Sequence, residues 1–188
     1  GALRGLLMKG GAVIEAAARI RHVAIDKTGT LTHGRPQVTD ILPVGIDADT
    51  LLTRMAAIEG ASSHPLARAI VARAGDLPLP TATEARAIPG KGVQAVIGGQ
   101  TLTVASPRHA TEAGLLTGDQ LGRAQALEAQ GKTVAVLFGD DVQGMIALRD
   151  EPRADAADAM RQLRDLGVSP VILTGDNPRT AAAIARTL

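Results

Sequence analysis

The string Asp26-Lys27-Thr28-Gly29-Thr30-Leu31-Thr32 directly follows an all-apolar run, Val23-Ala24-Ile25. That junction constrains the fold more than any other feature. A short continuous apolar run that ends at turn residues fits a strand buried on both faces, as in a parallel sheet. Gly29 lets the backbone turn as the strand ends. Asp26 is thereby expected at the carboxyl edge of an open α/β sheet, where such sheets carry their ligands. The pattern returns near the other end of the chain, where Val171-Ile172-Leu173 runs into Thr174-Gly175-Asp176-Asn177-Pro178. Two strand-turn-helix units of the same form predict one α/β domain split by a large insertion, from about Pro36 to about Ala147.

A carboxylate at such an edge can attack a phosphoryl group and form an aspartyl phosphate. Lys27 and the hydroxyls of Thr28, Thr30 and Thr32 supply donors for a doubly charged group. Phosphatases of the pattern DxDxT carry a second aspartate two positions on, as general acid and base. Here Thr28 stands at that position, and it cannot accept a proton at neutral pH. A phosphoryl group on Asp26 is therefore expected to survive until another element hydrolyses it. In the second turn, backbone N–H groups at a helix start attract phosphate. The Thr174 hydroxyl can add a bond, and Pro178 suits the first helical position. Plain helix capping by Asp176 or Asn177 is the alternative reading of that segment.

The insertion reads as α+β. A short helix over Gly10 to Arg21 precedes the first strand, and Gly34-Arg35-Pro36 breaks the pattern before an extended Val38 to Val44. Asp49 is expected to cap a helix through Leu51, Leu52, Met55 and Ile58 that ends at Gly60. Ser63 or His64, followed by Pro65, opens another through Leu66, Ile70 and Val71. Glu84 to Ile88 reads as a strand. Val93 to Ile97 and Thr101 to Val104, around Gly98-Gly99, read as a hairpin. Gly118-Asp119 opens a helix through Leu121, Ala124 and Leu127, and Thr133 to Phe138 pairs with Val142 to Leu148 across Gly139-Asp140-Asp141. Beyond it, Pro152 to Leu166 is expected to be an amphipathic helix with Ala156, Met160 and Leu163 inward, stopped by Gly167.

Composition narrows the function classes. The 188 residues are 45% hydrophobic, with Phe138 as the only Phe, Tyr or Trp, so the cores must be built from aliphatic side chains. A net charge of +1 gives no reason to expect a nucleic-acid partner, and base stacking on Trp or Tyr is impossible. There is no cysteine, hence neither a disulfide nor a thiolate metal site. The apolar stretches fall far short of the roughly 20 residues that cross a bilayer. His22, His33 and His109 lack metal-ligand spacing and read as surface or loop residues.

The sevenfold string DKTGTLT resembles the phosphorylation signature of P-type ATPases, and TGDN (Thr174 to Asn177) resembles their second phosphate-binding loop. Ser62-Ser63-His64-Pro65-Leu66-Ala67 is similar to the SEHPLA segment of the heavy-metal branch, with Ser63 where many relatives have Glu. Gly90-Lys91-Gly92-Val93 resembles that branch's GxG, although turns need glycine anyway. Where the family often has a further Gly-Asn, this chain has Ala105-Ser106. GLLMKGG (residues 5–11) and Asp150-Glu151-Pro152-Arg153, similar to the family's D-x-x-R hinge, complete the order.

The resemblance implies a Rossmann-like, haloacid-dehalogenase-type phosphorylation domain formed by residues 1–35 and 148–188. An α+β nucleotide-binding domain with an antiparallel sheet, residues 36–147, would interrupt it. It implies Asp26, Lys27, Thr28, Thr174, Gly175 and Asp176 as the catalytic set, with Mg²⁺ held by Asp26 and Thr28. ATP would bind at Glu59, His64, Gly90 and Gly92. The family's GDGxND loop does not occur in these residues, so the phosphorylation domain is expected to be incomplete and the fragment inactive by itself. The implied whole is an ATP-driven exporter of Zn, Cd or Pb rather than of copper. This chain would be its cytosolic loop, in a bacterial inner or plasma membrane, with its own transmembrane and actuator domains as partners. A copper-transporting relative, a soluble aspartate-nucleophile phosphatase, a nucleotide-binding module without catalysis and a potassium-pumping relative stay open as alternatives.

Overall fold

The computed structural model describes residues 10–175 and 177–187. Asp176 and the first part of GLLMKGG, as far as Lys9, lie outside them. The element order begins α1 (Gly11–Ala18), β1 (His22–Asp26), β2 (Gln37–Pro43), α2 (Ala48–Glu59), α3 (Pro65–Ala74), β3 (Ala82–Ile88), β4 (Gly92–Ile97) and β5 (Gln100–Ala105). It continues with α4 (Pro107–Glu112), α5 (Gly118–Glu128), β6 (Thr133–Phe138), β7 (Val142–Arg149), α6 (Ala156–Asp165), β8 (Ser169–Leu173) and α7 (Pro178–Thr187).

The two all-apolar strands meet. β1 and β8 pair in parallel, from His22 opposite Ser169 to Asp26 opposite Leu173. Their small core holds Leu31, Ala156, Met160 and Ile184, with Ile25, Leu163 and Ile172 packed against it.

The remaining strands form a six-stranded antiparallel sheet in the order β2-β7-β6-β5-β4-β3. Its central strands explain why TVAVLF shows no polar alternation: both of its faces are covered. On one face, Leu51, Leu52, Met55 and Ile58 of α2 lie at helical spacing and pack on Leu137, Ile146 and Leu148. On the other, Ala110, Ala124 and Leu127 of α4 and α5 meet Val136, Phe138, Met145 and Ala147. Successive residues of a strand point to opposite faces, so β6 and β7 supply both cores.

Several boundaries differ from the sequence expectation. Asp47, not Asp49, caps α2: its carboxylate accepts from the Thr50 N–H at 2.8 Å, leaving Asp49 inside the first turn. Thr117 caps α5 in a reciprocal box with Gln120. The six-residue helix α4, capped by Ser106, falls where no element was expected.

The expected helix from Pro152 begins only at Ala156 because the residues before it are held extended against the departing chain. Pro152 bridges Thr32. The His33 N–H donates to the Glu151 carbonyl at 3.1 Å, and the Arg153 N–H to the Leu31 carbonyl at 2.9 Å. Asp150 clasps both sides of this crossing. Its carboxylate accepts from the Thr32 hydroxyl at 2.6 Å and from the Arg35 N–H at 3.1 Å.

The two sheets are unequally protected from water. Val171 and Leu173 on β8 remain 49% and 53% exposed, whereas Val136 and Ile146 are fully buried. Two-stranded sheets have little independent stability. Amides of β1 and β8 should therefore exchange with solvent at least ~100-fold faster than those of β6 and β7, as locally opening units do. Residue-resolved hydrogen exchange checks this. Equal protection of the two sheets would contradict it.

Candidate functional site

The register of β1 on β8 places the site. Because Asp26 lies opposite Leu173, both strands end level, and the loops that follow them leave the same edge. Asp26 itself is exposed and extended. Lys27 is buried, and Thr28 is exposed. The loop then folds back through Gly29, whose φ of +80° favours glycine. Thr32 closes it. Its N–H donates to the Lys27 carbonyl at 3.1 Å, and its hydroxyl oxygen accepts from the Gly29 N–H at 3.2 Å.

A cleft of about 740 Å³ opens between the two sheets. The parallel sheet contributes Lys27, Thr28, Thr174 and Gly175 to its wall, and the inserted unit contributes His64 and Gly90. Six of the expected site residues, far apart in sequence, thus share one cavity. Three others do not line it. Asp26 sits one peptide bond from Lys27, Glu59 lies at the end of α2, and Gly92 is at the start of β4. Asp176 is outside the described residues.

His64 is the cap of α3. Its Nδ1 accepts from the Leu66 N–H at 3.2 Å, which leaves Nε2 as the nitrogen available to a ligand. Glu59 is largely buried. Burial pushes its carboxyl above the usual range, and a hydrogen bond with the Ser62 side chain opposes that shift. The two glycines of Gly90-Lys91-Gly92 have different reasons to be there. Gly90 has φ +71°, and a Cβ there would meet nothing within 4 Å among the described residues. A Cβ on Gly92 would lie 2.0 Å from the Val104 carbonyl oxygen. Gly92 is therefore required by the pairing of β4 with β5, whatever else it contacts.

Sequence reasoning missed part of the wall. Ser106, Arg108 and His109, all on or beside α4, line the cleft. The pair Ser106-Pro107, a capping residue before proline, was the available signal. His109, expected at the surface or in a loop, sits in α4, and its ring centroid lies 6.1 Å from that of Phe138, tilted by 52°. Glu128 was also missed. It lines the cleft and is only 5% exposed. Its carboxylate accepts from the Asn177 side-chain amide at 2.7 Å and lies 3.7 Å from the Arg179 guanidinium. Burial raises its carboxyl above the usual range, and Arg179 pulls it back.

Two predictions follow from this geometry. Gly92→Ala should destabilise the chain by ~3 kcal/mol, because backbone must move to admit the methyl group. Gly90→Ala should cost about 1–2 kcal/mol, the strain of a left-handed residue alone. Urea titration of both variants decides it, and equal losses would contradict the packing argument. For Glu59, a raised carboxyl in the folded state means that its stabilising contribution is present below the ordinary value. That contribution is lost as pH rises through the raised one. Wild type should therefore lose stability relative to Glu59→Gln between acidic and neutral pH. Parallel pH curves for the two proteins would contradict the desolvation.

Residues 20–188 match the family model of the haloacid dehalogenase-like hydrolases. The chain is 49% identical over its whole length to a zinc/cadmium/lead-transporting P-type ATPase of Escherichia coli, of which it covers 25%. It is 41% identical, again over its whole length, to a probable copper-transporting ATPase of Synechococcus elongatus, covering 26% of that protein. Among solved structures, a zinc-transporting PIB-type ATPase superposes with a TM-score of 0.69 at 46% identity. That match covers all of this chain and 31% of the solved one. The chain thus spans about a quarter of the length of the curated relatives it matches. With two strand-turn-helix units joined in parallel, an inserted antiparallel unit between them and a family match over nearly all its residues, the chain belongs to the haloacid dehalogenase-like hydrolases.

Proposed function

We propose that this chain is the ATP-binding and phosphorylation headpiece of a heavy-metal-translocating P-type ATPase, coupling ATP hydrolysis through an aspartyl phosphate to metal export. The observation that carries the reading is the shared cleft. Lys27, Thr28, Thr174 and Gly175 stand on one wall, and His64 and Gly90 on the other. We assign the antiparallel unit, residues 36–147, to nucleotide binding, and residues 1–35 with 148–188 to phosphorylation.

In this reading the adenine end of ATP lies in the inserted unit, near Glu59, His64, Gly90 and Gly92. The triphosphate points to the edge of the parallel sheet. Lys27 and Thr174 hold the phosphoryl group or its surroundings, together with Gly175 and Asp176. A carboxylate oxygen of Asp26 attacks the γ-phosphorus. The new O–P bond forms as the bond to the β,γ-bridging oxygen breaks, and ADP leaves with the electron pair. Thr28 cannot act as a base, so the phosphorylated state persists and can drive rearrangement elsewhere in the protein.

The residues present fit Mg²⁺. Among the described residues no cluster of three or more His, Cys, Asp or Glu could hold a metal. Mg²⁺ takes one or two carboxylates and completes its shell with water and substrate phosphates. The Asp26 carboxylate and the Thr28 carbonyl are oxygen donors of that kind. When bound, the ion supplies charge neutralisation for the transferring group.

No helix among the described residues is long and apolar enough to cross a membrane. That suits the role of a cytosolic loop in an integral membrane protein of a bacterial inner or plasma membrane. Its partners would be that protein's own transmembrane and actuator domains. The higher identity to the zinc/cadmium/lead transporter than to the copper transporter, 49% against 41%, supports Zn²⁺, Cd²⁺ or Pb²⁺ as cargo. For the 188-residue chain by itself we propose binding without turnover, since its residues include no GDGxND loop, from which the resemblance draws a Mg²⁺-binding aspartate.

His64→Ala should weaken ATP binding by about 1–2 kcal/mol, the scale of one lost polar or stacking contact in a partly wet site. Asp26→Asn should leave binding nearly unchanged. Titration calorimetry on the 188-residue chain tests both, and equal affinity in wild type and His64→Ala would remove the adenine assignment. In the complete protein, Zn²⁺, Cd²⁺ or Pb²⁺ should stimulate ATP hydrolysis more than Cu⁺. Stimulation by Cu⁺ alone would overturn the choice of cargo.

A further inference from the structure

The crossing at Thr32 and Asp150 is not the only place where the two units hold each other. Across the cleft, the last turn of α5 meets the first turn of α7 through Glu128. We propose that Glu128 is a positioning residue. It grips the side-chain amide of Asn177, which caps the helix after the second phosphate turn, and so latches the inserted unit to that turn. The proposal rests on the reading of Thr174-Gly175 as a phosphate-binding turn.

The geometry makes Asn177 a two-ended connector. Its Oδ1 accepts from the N–H groups of Arg179 at 2.9 Å and Thr180 at 3.0 Å, which satisfies donors that a helix start leaves open. Its Nδ2 donates to Glu128 at 2.7 Å. Oxygen and nitrogen sit on one planar carbon, so holding the nitrogen fixes the direction of the capping oxygen. Glu128 has only 5% of its surface exposed, and a buried carboxylate that loses its partners is penalised heavily. Opening the cleft would free Asn177 and break the bond that aims its capping oxygen.

Neighbouring bonds reinforce the same joint. The Thr180 hydroxyl, fully buried, donates to the Lys132 carbonyl at 2.9 Å. The Lys132 ammonium in turn pairs with Asp40 on β2 at 2.7 Å. The turn between α5 and β6 is thereby anchored to α7 by its backbone and to the antiparallel sheet by its lysine. Closure of the inserted unit and the shape of the phosphate turn become one event, because the same asparagine takes part in both.

The test uses the whole chain without nucleotide. Its lack of cysteine allows spin labels at Arg73→Cys on α3 and Ala159→Cys on α6, one on each unit. Wild type should give one narrow distance. Asn177→Asp keeps the capping oxygen but sets a second acceptor against Glu128, and should give a longer, broader distribution. Adding Glu128→Gln to Asn177→Asp exchanges donor and acceptor, and should restore the wild-type distance. In parallel, Glu128→Ala should speed exchange of the Arg179 and Thr180 amides ~10-fold or more, the scale of losing a hydrogen bond to a charged group. Glu128→Gln, which still accepts from Asn177, should stay within about threefold of wild type. A wild-type distance in Asn177→Asp, or failure of the double variant to restore it, overturns the latch. So does an equal acceleration over both sheets in Glu128→Ala, which would make Glu128 a support of the fold alone. A chain that shows the expected pattern but binds no ATP keeps the latch and overturns the nucleotide reading instead.

Discussion

The joint between the two units hangs on Thr32. This residue is completely buried, yet three polar demands meet on it. Its N–H and hydroxyl oxygen close the loop after Asp26, by donating to Lys27 and accepting from Gly29. Its hydroxyl proton goes to Asp150, on the strand that brings the chain back. A bond to an ionised acceptor contributes about 1.5–3 kcal/mol, more than an ordinary backbone bond. The loop after Asp26 is therefore not an independent element. It is fastened to the crossing about which the inserted unit would turn, and a movement at that crossing reaches the Lys27 carbonyl through one side chain.

Around this joint the two sheets divide the work according to their cores. The antiparallel sheet is covered on both faces, by α2 and α3 on one and by α4 and α5 on the other. It forms a stiff body able to present His64 and Gly90 at fixed positions. The parallel pair keeps only a small core under Leu31, Met160 and Ile184 and leaves Val171 and Leu173 half open. What it offers the site is an edge: two strands ending level, each with a turn beyond. Stiffness on one wall and alignment on the other are what transfer of a phosphoryl group demands, since positioning supplies most of the catalysis.

The parts of this arrangement that were legible in the sequence are those written in local signals. The runs at Val23 and Val171, each followed by a glycine turn, foretold the parallel pair, and paired strand segments around Gly98-Gly99 and Gly139-Asp140-Asp141 foretold the hairpins. What escaped depends on contacts between distant residues. Asp47 outcompetes Asp49 for the cap of α2 because its side chain reaches the Thr50 N–H. Pro152 and Arg153 fit a helix start, yet pairing with Leu31 to His33 keeps them extended. The motif around Gly92 gave no sign of its packing role, that a Cβ there would lie 2.0 Å from the Val104 carbonyl oxygen. Glu128 carries no local mark at all; only the fold brings it to Asn177. Helix α4 was hidden by its brevity, and with it the place of His109 in the cleft wall.

In the proposed reaction, Asp26 at the end of β1 takes the phosphoryl group. The most direct measurement is labelling of the complete protein in membranes with ATP carrying a tagged γ-phosphate, followed by acid quench. The expected product is a phosphorylated species stable in acid, released by hydroxylamine as an acyl phosphate should be, and abolished by Asp26→Asn. Labelling that persists in Asp26→Asn, or resists hydroxylamine, would contradict it.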